Sequence, residues 1–355
     1  MTENSVHQIA DQLELRVVSM SPDNDLLIRR VIEIFSKSQQ STVHSSKLYD
    51  LEFWRSHIGS RFIALNIFIK RELVGYVSLI PFPGSSKVLF LDHFMIDPEY
   101  SEYSEEICNG LLDHLTRIGK RRNWQALYAL AGVQSPLAHR LLHEEMGFVE
   151  IGFCPQLYLR EGFYSGAESH CSPLLYRPLR SEEGSQSRDI YIPEIHREIV
   201  AEVIQSTGIS RIFTDNVEPI DSHNSTPLCY DYVHQFSCLF LSSNSRDGLI
   251  DPESLQKSLD KCGAGYVAFS PHVPAAIRSA EILEERGFSF CGYLPNMGDG
   301  DYLLYFRPKG IPKRLSEDAE LWRSLFGRYM LQYKHQKVFS SISLNAVESK
   351  QYASA

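Results

Sequence analysis

The sequence predicts an α/β fold of the α+β kind, made of two similar units that each combine a mixed, mostly antiparallel sheet with flanking helices. The first observation is a repeat. Gly147 to Pro155 and Gly287 to Pro295 both read Gly-Phe, three variable residues, Gly, an aromatic residue, one residue and Pro. Their spacing of 140 residues is about one domain, which indicates duplication of a whole fold. The second observation is that strand-like and helical segments precede each copy in a similar outline.

Composition limits the classes of partner. The chain has 355 residues, enough for two domains that each bury a core, and its formal net charge is −9. Nucleic acids and anionic membranes require basic surfaces, so we expect neither as a partner. No run approaches the roughly 18 apolar residues of a transmembrane helix. The polar residues 1–11 do not resemble a secretory signal.

Cysteine usage indicates a reducing compartment. The seven cysteines are an odd number and include no Cys-x-x-Cys pair. This pattern is typical of buried thiols rather than of disulfides or a zinc cage. The adjacent pair His170-Cys171 has no second pair at ligand spacing. We therefore expect a cytoplasmic protein without a bound metal.

Periodicity orders the first unit, which we place at residues 14–161. The triplet Ser21-Pro22-Asp23 is suited to cap a helix whose apolar residues share one face. Three runs rich in β-branched and aromatic residues follow with short breaks between them, which predicts an antiparallel meander. The predicted elements are strand 15–20, helices 25–38 and 51–57, strands 62–69, 73–80 and 87–96, helix 104–121, strand 124–131, helix 135–146, and strands 149–153 and 156–160.

A polar segment at residues 162–188 is the predicted linker to a shortened second unit at residues 189–310. The tail, residues 311–355, contains an amphipathic helix with Trp322, Phe326 and Met330 in one row. We expect this helix to pack on its own chain, with a homodimer contact as the alternative. The elements predicted for the second unit are helix 192–206, strands 211–214 and 234–242, helix 251–261, strand 265–270, helix 274–286, and hairpin strands 288–293 and 301–306.

The order of these elements resembles that of the GNAT N-acetyltransferase superfamily. The residues that carry the resemblance are Phe94 to Tyr100 with its Asp-Pro, the pair Leu111-Leu112, and the helix from Ala138 that closes on Gly147-Phe148. In the second unit the resemblance covers residues 251–308, chiefly through the helix before Gly287-Phe288. The whole chain thus looks like a tandem GNAT protein.

This resemblance implies transfer of an acetyl or other acyl group from acyl-CoA to the amine of a small molecule or amino acid. It implies that Phe94, Met95 and Ile96 lie along the pantetheine arm of the CoA. Ser101, Tyr103 and Ser104 then occupy the turn that holds the pyrophosphate. In such turns, glycines let backbone N–H groups approach the phosphates at a helix N-terminus.

The chain departs from the family at this turn. Residues 101–107 contain neither Arg nor Gly, and Glu102, Glu105 and Glu106 stand near the predicted anion site. Carboxylates there stabilise the helix but repel a pyrophosphate. Two other hypotheses therefore stay open: a non-catalytic module that binds a ligand or protein, and acyl-thioester chemistry other than N-acetylation.

Three side chains are candidates for proton transfer. The resemblance places Asp92 and His93 near the acceptor amine, where either could take its proton. His143 stands where many family members carry a Tyr that protonates the departing thiolate. The second unit has Leu283 at that position, so the first unit is the candidate catalytic unit. The alternative is that all three have structural roles only.

Overall fold

A computed structural model of the chain describes most of both predicted units. The predicted tail helix, the strand at 156–160 beyond residue 156, and parts of the helices at 135–146 and 251–261 lie outside the described residues. Within the described part of the chain, no helix has the length and apolar character needed to cross a membrane. The described residues are 13–38, 49–60, 62–81, 87–130, 140–156, 170–180, 187–215, 226–231, 237–242, 250, 253, 255–257, 265–297 and 300–307.

Two of the described α-helices begin at a side-chain cap, and two others end at a left-handed residue. Asn24 accepts the Leu27 N–H at 3.2 Å through its side chain, and Asp50 accepts the Glu52 N–H at 3.0 Å. Left-handed Asn123 and Gly208 end two others. The α-helices are α1 (Asp25–Ser38), α2 (Leu51–His57), α3 (Ser104–Arg122), α4 (Arg197–Thr207) and α5 (Ala275–Glu285). The other helical segments are 3₁₀ helices at Pro98–Tyr103 and Glu194–His196 and a π-helical turn at Leu141–Glu145.

The strands form one large sheet, and a separate short pair consists of β8 and β9. The large sheet has the order β1-β2-β3-β4-β5-β7-β6-β13-β14-β12-β11-β10. The strands are β1 (Leu15–Ser19), β2 (Ile63–Ile69), β3 (Glu72–Pro81), β4 (Val88–Ile96), β5 (Ala126–Leu130), β6 (Val149–Gln156), β7 (His170–Pro178), β8 (Arg188–Ile190), β9 (Arg211–Phe213), β10 (Thr226–Asp231), β11 (Ser237–Ser242), β12 (Tyr266–Phe269), β13 (Ser289–Met297) and β14 (Gly300–Phe306).

The predicted fold class is confirmed. Strands β1 to β4 form an antiparallel meander, as predicted, and the parallel pairs of the large sheet are β4–β5 and β11–β12. Helices α1 and α2 pack on one face of the meander, where Trp54 and Tyr76 are buried. Helix α3 packs on the other face, with Leu111 and Leu115 in its core. The sheet is therefore mixed, mostly antiparallel and flanked by helices.

The two halves of the sheet have the same strand topology. Outward from β6, the neighbours β7, β5, β4 and β3 pair antiparallel, antiparallel, parallel and antiparallel. Outward from β13, the neighbours β14, β12, β11 and β10 pair in the same sequence of orientations. The strands also follow each other in the same order along the chain, from β3 to β7 in the first half and from β10 to β14 in the second. The identical topology is what a duplicated unit would produce.

The two copies of the repeated motif meet at the centre of the sheet. Strands β6 and β13 pair antiparallel, with Gly152 opposite Gly292; we call this pairing the seam. A Cβ on Gly152 would lie 2.4 Å from the carbonyl oxygen of Cys291, and one on Gly292 would lie 2.8 Å from that of Ile151. Because these neighbours are backbone atoms, the seam requires glycine in both copies.

The predicted linker differs from the structure. The segment 162–188 contains β7, which pairs with β5 and β6 and so belongs to the first half of the sheet. The polar residues around this strand resemble a linker, although the buried Leu174, Leu175 and Tyr176 lie among them. Strands β8 and β10 were not predicted either, since β8 is short and β10 contains Pro227.

Candidate functional site

A bulge in β4 is the main irregularity at the predicted site. In the β3–β4 pairing, Tyr76 lies opposite Met95 and Ser78 lies opposite Asp92, so β4 has one more residue than β3 in this interval. His93, within the bulge, has a φ of 49°. Few residues other than glycine adopt such a φ, although His does so more often than most. Bulges of this kind redirect a side chain, which here is the imidazole of His93.

The bulge lies where β4 leaves its parallel neighbour. Pairing of β4 with β5 runs from Val88 opposite Ala126 to Leu91 opposite Ala129. The remaining residues of β4, from Asp92 to Ile96, continue beyond this pairing while β3 still pairs with them. Within the described residues, this part of β4 therefore pairs with β3 and not with β5.

Asp92, His93 and Ser78 form a hydrogen-bonded cluster at the bulge. The His93 Nδ1 atom is 3.2 Å from the Asp92 carboxylate and 3.0 Å from the Ser78 hydroxyl, which donates to the Asp92 carbonyl oxygen at 2.9 Å. The His93 N–H donates to the Asp92 carboxylate at 2.9 Å. These contacts favour a proton on Nδ1, which leaves the lone pair of the neutral ring on Nε2. The cluster can thus accept a proton at Nε2.

The surroundings of the cluster are aromatic and partly closed. The ring centroids of Phe35 and Trp54 lie 6.2 and 6.3 Å from that of His93. The His93 side chain is 12% exposed and the Asp92 side chain 35%. Both groups are therefore screened from bulk water by α1 and α2 and yet reachable from outside.

Two buried polar side chains beside the cluster make no hydrogen bond of good geometry within the described residues, although Ser78 lies next to one of them. They are the amide of Asn66 and the hydroxyl of Tyr76, which stand opposite each other on β2 and β3. Burial, followed by the charge of Asp92, raises the pKa of Tyr76 well above its usual value, so the phenol stays protonated. A buried polar group that lacks a hydrogen bond lowers the free energy of unfolding by about 1–3 kcal/mol. These groups are therefore suited to bind a polar ligand atom or a water molecule.

The start of α3 does not fit a pyrophosphate in the way the family resemblance implies. Ser101 and Tyr103 lie in the 3₁₀ helix Pro98–Tyr103, which runs directly into α3 at Ser104. The Ser104 N–H already donates to the Ser101 carbonyl oxygen. Glu105 follows in the first turn of α3. A 3₁₀ helix with a kink at Tyr100 therefore precedes α3, and the Ser104 N–H at the start of α3 is already bonded within the chain.

Carboxylates make this helix start more negative. Burial, followed by the charge of Glu105, raises the pKa of Glu145 on the neighbouring π-helical turn, and Glu106 contributes in the same direction. Glu105 and Glu106 therefore place negative charge at the start of α3, close enough to act on Glu145. A pyrophosphate would add such charge.

Asp97 has a structural role at the end of β4. Its carboxylate is fully buried and lies 3.1 Å from the Arg30 guanidinium and 3.6 Å from the Lys37 ammonium. It also accepts the Glu99 N–H at 3.2 Å. The Asp-Pro pair that carried the resemblance thus joins α1 to the 3₁₀ helix, and these two cations are engaged by carboxylates.

The other predicted site residues lie in different surroundings. Phe94 and Ile96 pack against the core under α3, while Met95 is buried in the core under α1 and α2. His143 lies on the π-helical turn, with Nδ1 2.8 Å from the Phe148 carbonyl oxygen. Because a carbonyl oxygen only accepts, Nδ1 carries the proton in this contact. The roles of these residues in binding and catalysis stay predictions.

Sequence reasoning missed Ser78, Tyr76 and Asn66. The available signal was polar atoms inside otherwise apolar runs. Tyr76 and Ser78 alternate along β3 and therefore share a face, and Asn66 interrupts the apolar strand β2. Which β4 residue faces Ser78 depends on the bulge, and no local pattern indicates its position.

The chain is similar to known acetyltransferases in sequence and in structure. Residues 28–148 match the model of the Acetyltransferase (GNAT) family. Curated proteins gave no match. Among solved structures, the chain is similar to spermidine N-acetyltransferase from Vibrio cholerae in complex with CoA and spermine, at 20% identity, covering 46% of this chain and 95% of that chain, with a TM-score of 0.36. It is also similar to the ribosomal-protein-S18-alanine N-acetyltransferase from Escherichia coli, at 13% identity, covering 48% and 98%, with a TM-score of 0.36.

The family match extends from α1 to the end of the π-helical turn. It therefore includes the β4 bulge, the Asp92–His93–Ser78 cluster and the altered start of α3. Residues 28–148 of this chain thus match the GNAT acetyltransferase family.

Proposed function

We propose that the chain is an N-acyltransferase that moves an acetyl or other acyl group from an acyl thioester, acyl-CoA in the first instance, to the amine of a small molecule or amino acid. The observation that carries the proposal is the proton-accepting cluster at the β4 bulge within a GNAT domain. An amine must lose a proton as it forms an amide, and a neutral imidazole is suited to take it near pH 7.

In the proposed reaction, His93 Nε2 accepts the proton of the attacking amine. Asp92 holds Nδ1–H and stabilises the imidazolium that results. The amine nitrogen forms a bond to the thioester carbonyl carbon, the carbon–sulfur bond breaks, and the thiolate takes a proton. His143 in its imidazolium form is the proposed donor of that proton from Nε2, and its Nδ1–H remains bound to the Phe148 carbonyl oxygen.

The two ends of acyl-CoA fit the domain differently. The backbone of β4 beyond Leu91 suits the pantetheine arm, because the described pairing of β4 with β5 ends there. The acidic start of α3 does not suit the pyrophosphate. We therefore propose that the thioester end supplies most of the recognition and that the pyrophosphate does not occupy the α3 start.

A donor series tests this proposal. Acetyl transfer to a panel of primary amines would be measured with acetyl-CoA and with S-acetylpantetheine, which has no pyrophosphate. We expect transfer from both, with values of kcat/KM within about tenfold of each other, since a phosphate contact at α3 is not available. No transfer from either donor to any amine would contradict the proposal.

A non-catalytic ligand-binding or regulatory module is the second candidate. The observation in its favour is the carboxylate cluster of Glu105, Glu106 and Glu145 at the expected anion site. Thermal unfolding with acetyl-CoA and S-acetylpantetheine separates the two candidates. Saturating binding of a ligand adds about 2–4 kcal/mol to the free energy of unfolding. If the chain is the proposed enzyme, either acyl donor should raise its unfolding temperature by several degrees, whereas a module that binds neither donor should show no change.

We further propose that residues 189–310 are a shortened GNAT-like unit. The identical strand topology of the two halves and the glycine pair at the seam support this. The acidic charge and cysteine pattern support work in the cytoplasm. The tail helix is proposed to pack on its own chain, with a homodimer as the alternative.

A further inference from the structure

A cavity lies at the seam, apart from the cluster at the β4 bulge. Its volume is about 570 Å³, within the range of about 300–1,000 Å³ that is typical of small-molecule sites. Residues of β6, β13 and α4, with the C-terminal end of α5, line it. The described lining residues do not include Asp92 or His93. The cavity is therefore a separate candidate site that spans both halves of the sheet.

The inner surface of the cavity is apolar and firmly packed. Ile151 and Phe153 come from β6, Val203 from α4, and Phe288 and Tyr293 from the second copy of the motif and its strand. All five side chains are buried and belong to one core cluster. A wall made of core residues is preformed, so a ligand would not have to order it on binding.

Carboxylates supply the charged groups of the cavity. They are Glu150 on β6, Glu198 and Glu202 on α4, and Glu284 on α5, and the described lining residues include no Lys or Arg. Glu198 and Glu202 are one helical turn apart, so they share a face of α4. The cavity thus combines an apolar interior with negative charge, which is the complement of an apolar cation.

One of these carboxylates is held in place by aromatic neighbours. The Nε2 atom of His196 lies 2.6 Å from the Glu284 carboxylate, and the Tyr305 hydroxyl lies 3.5 Å from it. The His196 ring stacks on Phe290 with ring centroids 4.5 Å apart. These contacts fix Glu284 at the end of α5 beside the apolar wall, where it can accept a hydrogen bond from a ligand.

We propose that the seam cavity binds a hydrophobic primary amine, with its apolar part against Phe153 and Phe288 and its ammonium group among the glutamates. An anion of the same shape would be repelled by the four glutamates. A neutral analogue would lose the charge contacts but keep the apolar ones. Because both halves contribute lining residues, the bound amine would also link them.

The test uses the full chain without an acyl donor, and it follows binding of 2-phenylethylamine by calorimetry. Matched probes are 2-phenylethanol, which is neutral, and 3-phenylpropionate, which is an anion of similar shape. We expect saturable binding of one amine per chain, weaker binding of the alcohol and none of the carboxylate. Equal binding of the amine and the carboxylate, or no binding of the amine, would overturn the proposal.

Paired variants locate the binding. The double variant Glu198→Gln/Glu202→Gln should bind the amine about tenfold more weakly, the size expected when two partly exposed charge contacts are lost. The control Glu281→Gln/Glu285→Gln removes the same charge at the same spacing on α5, outside the cavity, and should bind like the unchanged chain. Equal affinity of the two double variants would overturn the assignment to the cavity.

A third variant separates this site from the proposed acceptor site. His93→Gln should leave the affinity for 2-phenylethylamine unchanged, because His93 does not line the cavity. If His93→Gln abolished binding while the α4 variant retained it, the amine would be bound at the β4 bulge, and the cavity proposal would fail while the proposed function would stand. Hydrogen exchange should slow in α4, β6 and β13 when the amine is added.

Discussion

The molecule contains two Asp–His clusters whose surroundings differ. Asp92 and His93 at the β4 bulge are 35% and 12% exposed. Asp301 on β14 is fully buried and is bound by Arg211, whose side chain is 1% exposed, and lies 3.2 Å from His272 Nε2. The same residue types therefore occur in different surroundings: the first cluster is partly exposed, whereas the carboxylate of the second is fully buried and bound by protein groups.

The second cluster is a structural junction. Arg211 donates to the Asp301 carboxylate at 2.5 and 3.0 Å, and the Tyr293 hydroxyl donates to it at 2.5 Å. The backbone N–H of Asn296 donates to the Asp301 carboxylate. The side-chain amide of Asn296 donates to the hydroxyl of Tyr176, in the first half of the sheet, at 3.2 Å. Burial alone would raise the pKa of Asp301, but contacts with His272 and Arg211 outweigh it and hold the pKa well below its usual value. The difference teaches that the number of buried hydrogen-bond and charge partners, not the residue type, separates a carboxylate fixed in the core from one that is partly exposed.

The largest expected effect is on turnover. His93→Gln removes the proposed base but keeps a polar side chain of similar size, so we expect kcat to fall about 10²–10⁴-fold with little change in the unfolding temperature. Initial rates of acetyl transfer at several pH values would measure it. An unchanged rate would remove His93 from the proposed mechanism and make the two clusters alike.

Next in size is the loss of Arg211. Arg211→Met should lower the free energy of unfolding by about 3–5 kcal/mol, because Asp301 would remain buried without its cation. Urea denaturation measures this change. The control Arg278→Met breaks exposed ion pairs on α5 and should cost less than about 1 kcal/mol. If the two variants lost similar amounts of unfolding free energy, burial of the Arg211–Asp301 pair would not increase its contribution to stability.

Acid should weaken the second cluster in a predictable direction. The folded pKa of Asp301 lies below its unfolded value of about 3.9, so its contribution to stability is present above about pH 4 and is lost as the pH falls further. The unfolding free energy of the unchanged chain should therefore fall more steeply below about pH 4 than that of Asp301→Asn. Parallel slopes in the two proteins would contradict this assignment.

The smallest effect is expected for His272→Gln, the counterpart of His93→Gln. His272 contacts the Asp189 carbonyl oxygen and the Asp301 N–H at 2.8 and 3.2 Å. Its replacement should cost about 1 kcal/mol of stability, the size of an ordinary hydrogen bond, and leave acetyl transfer unchanged. A large loss of activity with intact stability would place the second cluster in the reaction as well.

Local patterns predicted much of the first half. Helices α1 and α2 were predicted at their observed bounds, because a periodic apolar face and turn-forming flanks are properties of neighbouring residues. The antiparallel meander followed from short breaks between strands. Strand β7 was assigned to the linker, since its pairing with β5 and β6 involves residues distant in sequence.

The candidate site was only partly predictable. Asp92 and His93 were named because they precede the Asp-Pro of a family-like strand. Their partner Ser78 lies 14 and 15 residues away along the chain, and the bulge that brings it to His93 depends on how β3 and β4 pair. The expected pyrophosphate turn was doubtful from its glutamates alone, and the structure has a kinked 3₁₀ helix at this position.

The sequence by itself determined that the same nine-residue motif occurs twice and that both copies keep glycine at the same position. Only the tertiary structure decided that Gly152 and Gly292 lie opposite each other at the seam and that His93 contacts Ser78. It also decided that Asp301 and Arg211 form a buried ion pair. The physical reason is that spacing encodes local geometry, whereas burial and long-range pairing depend on the whole packed chain.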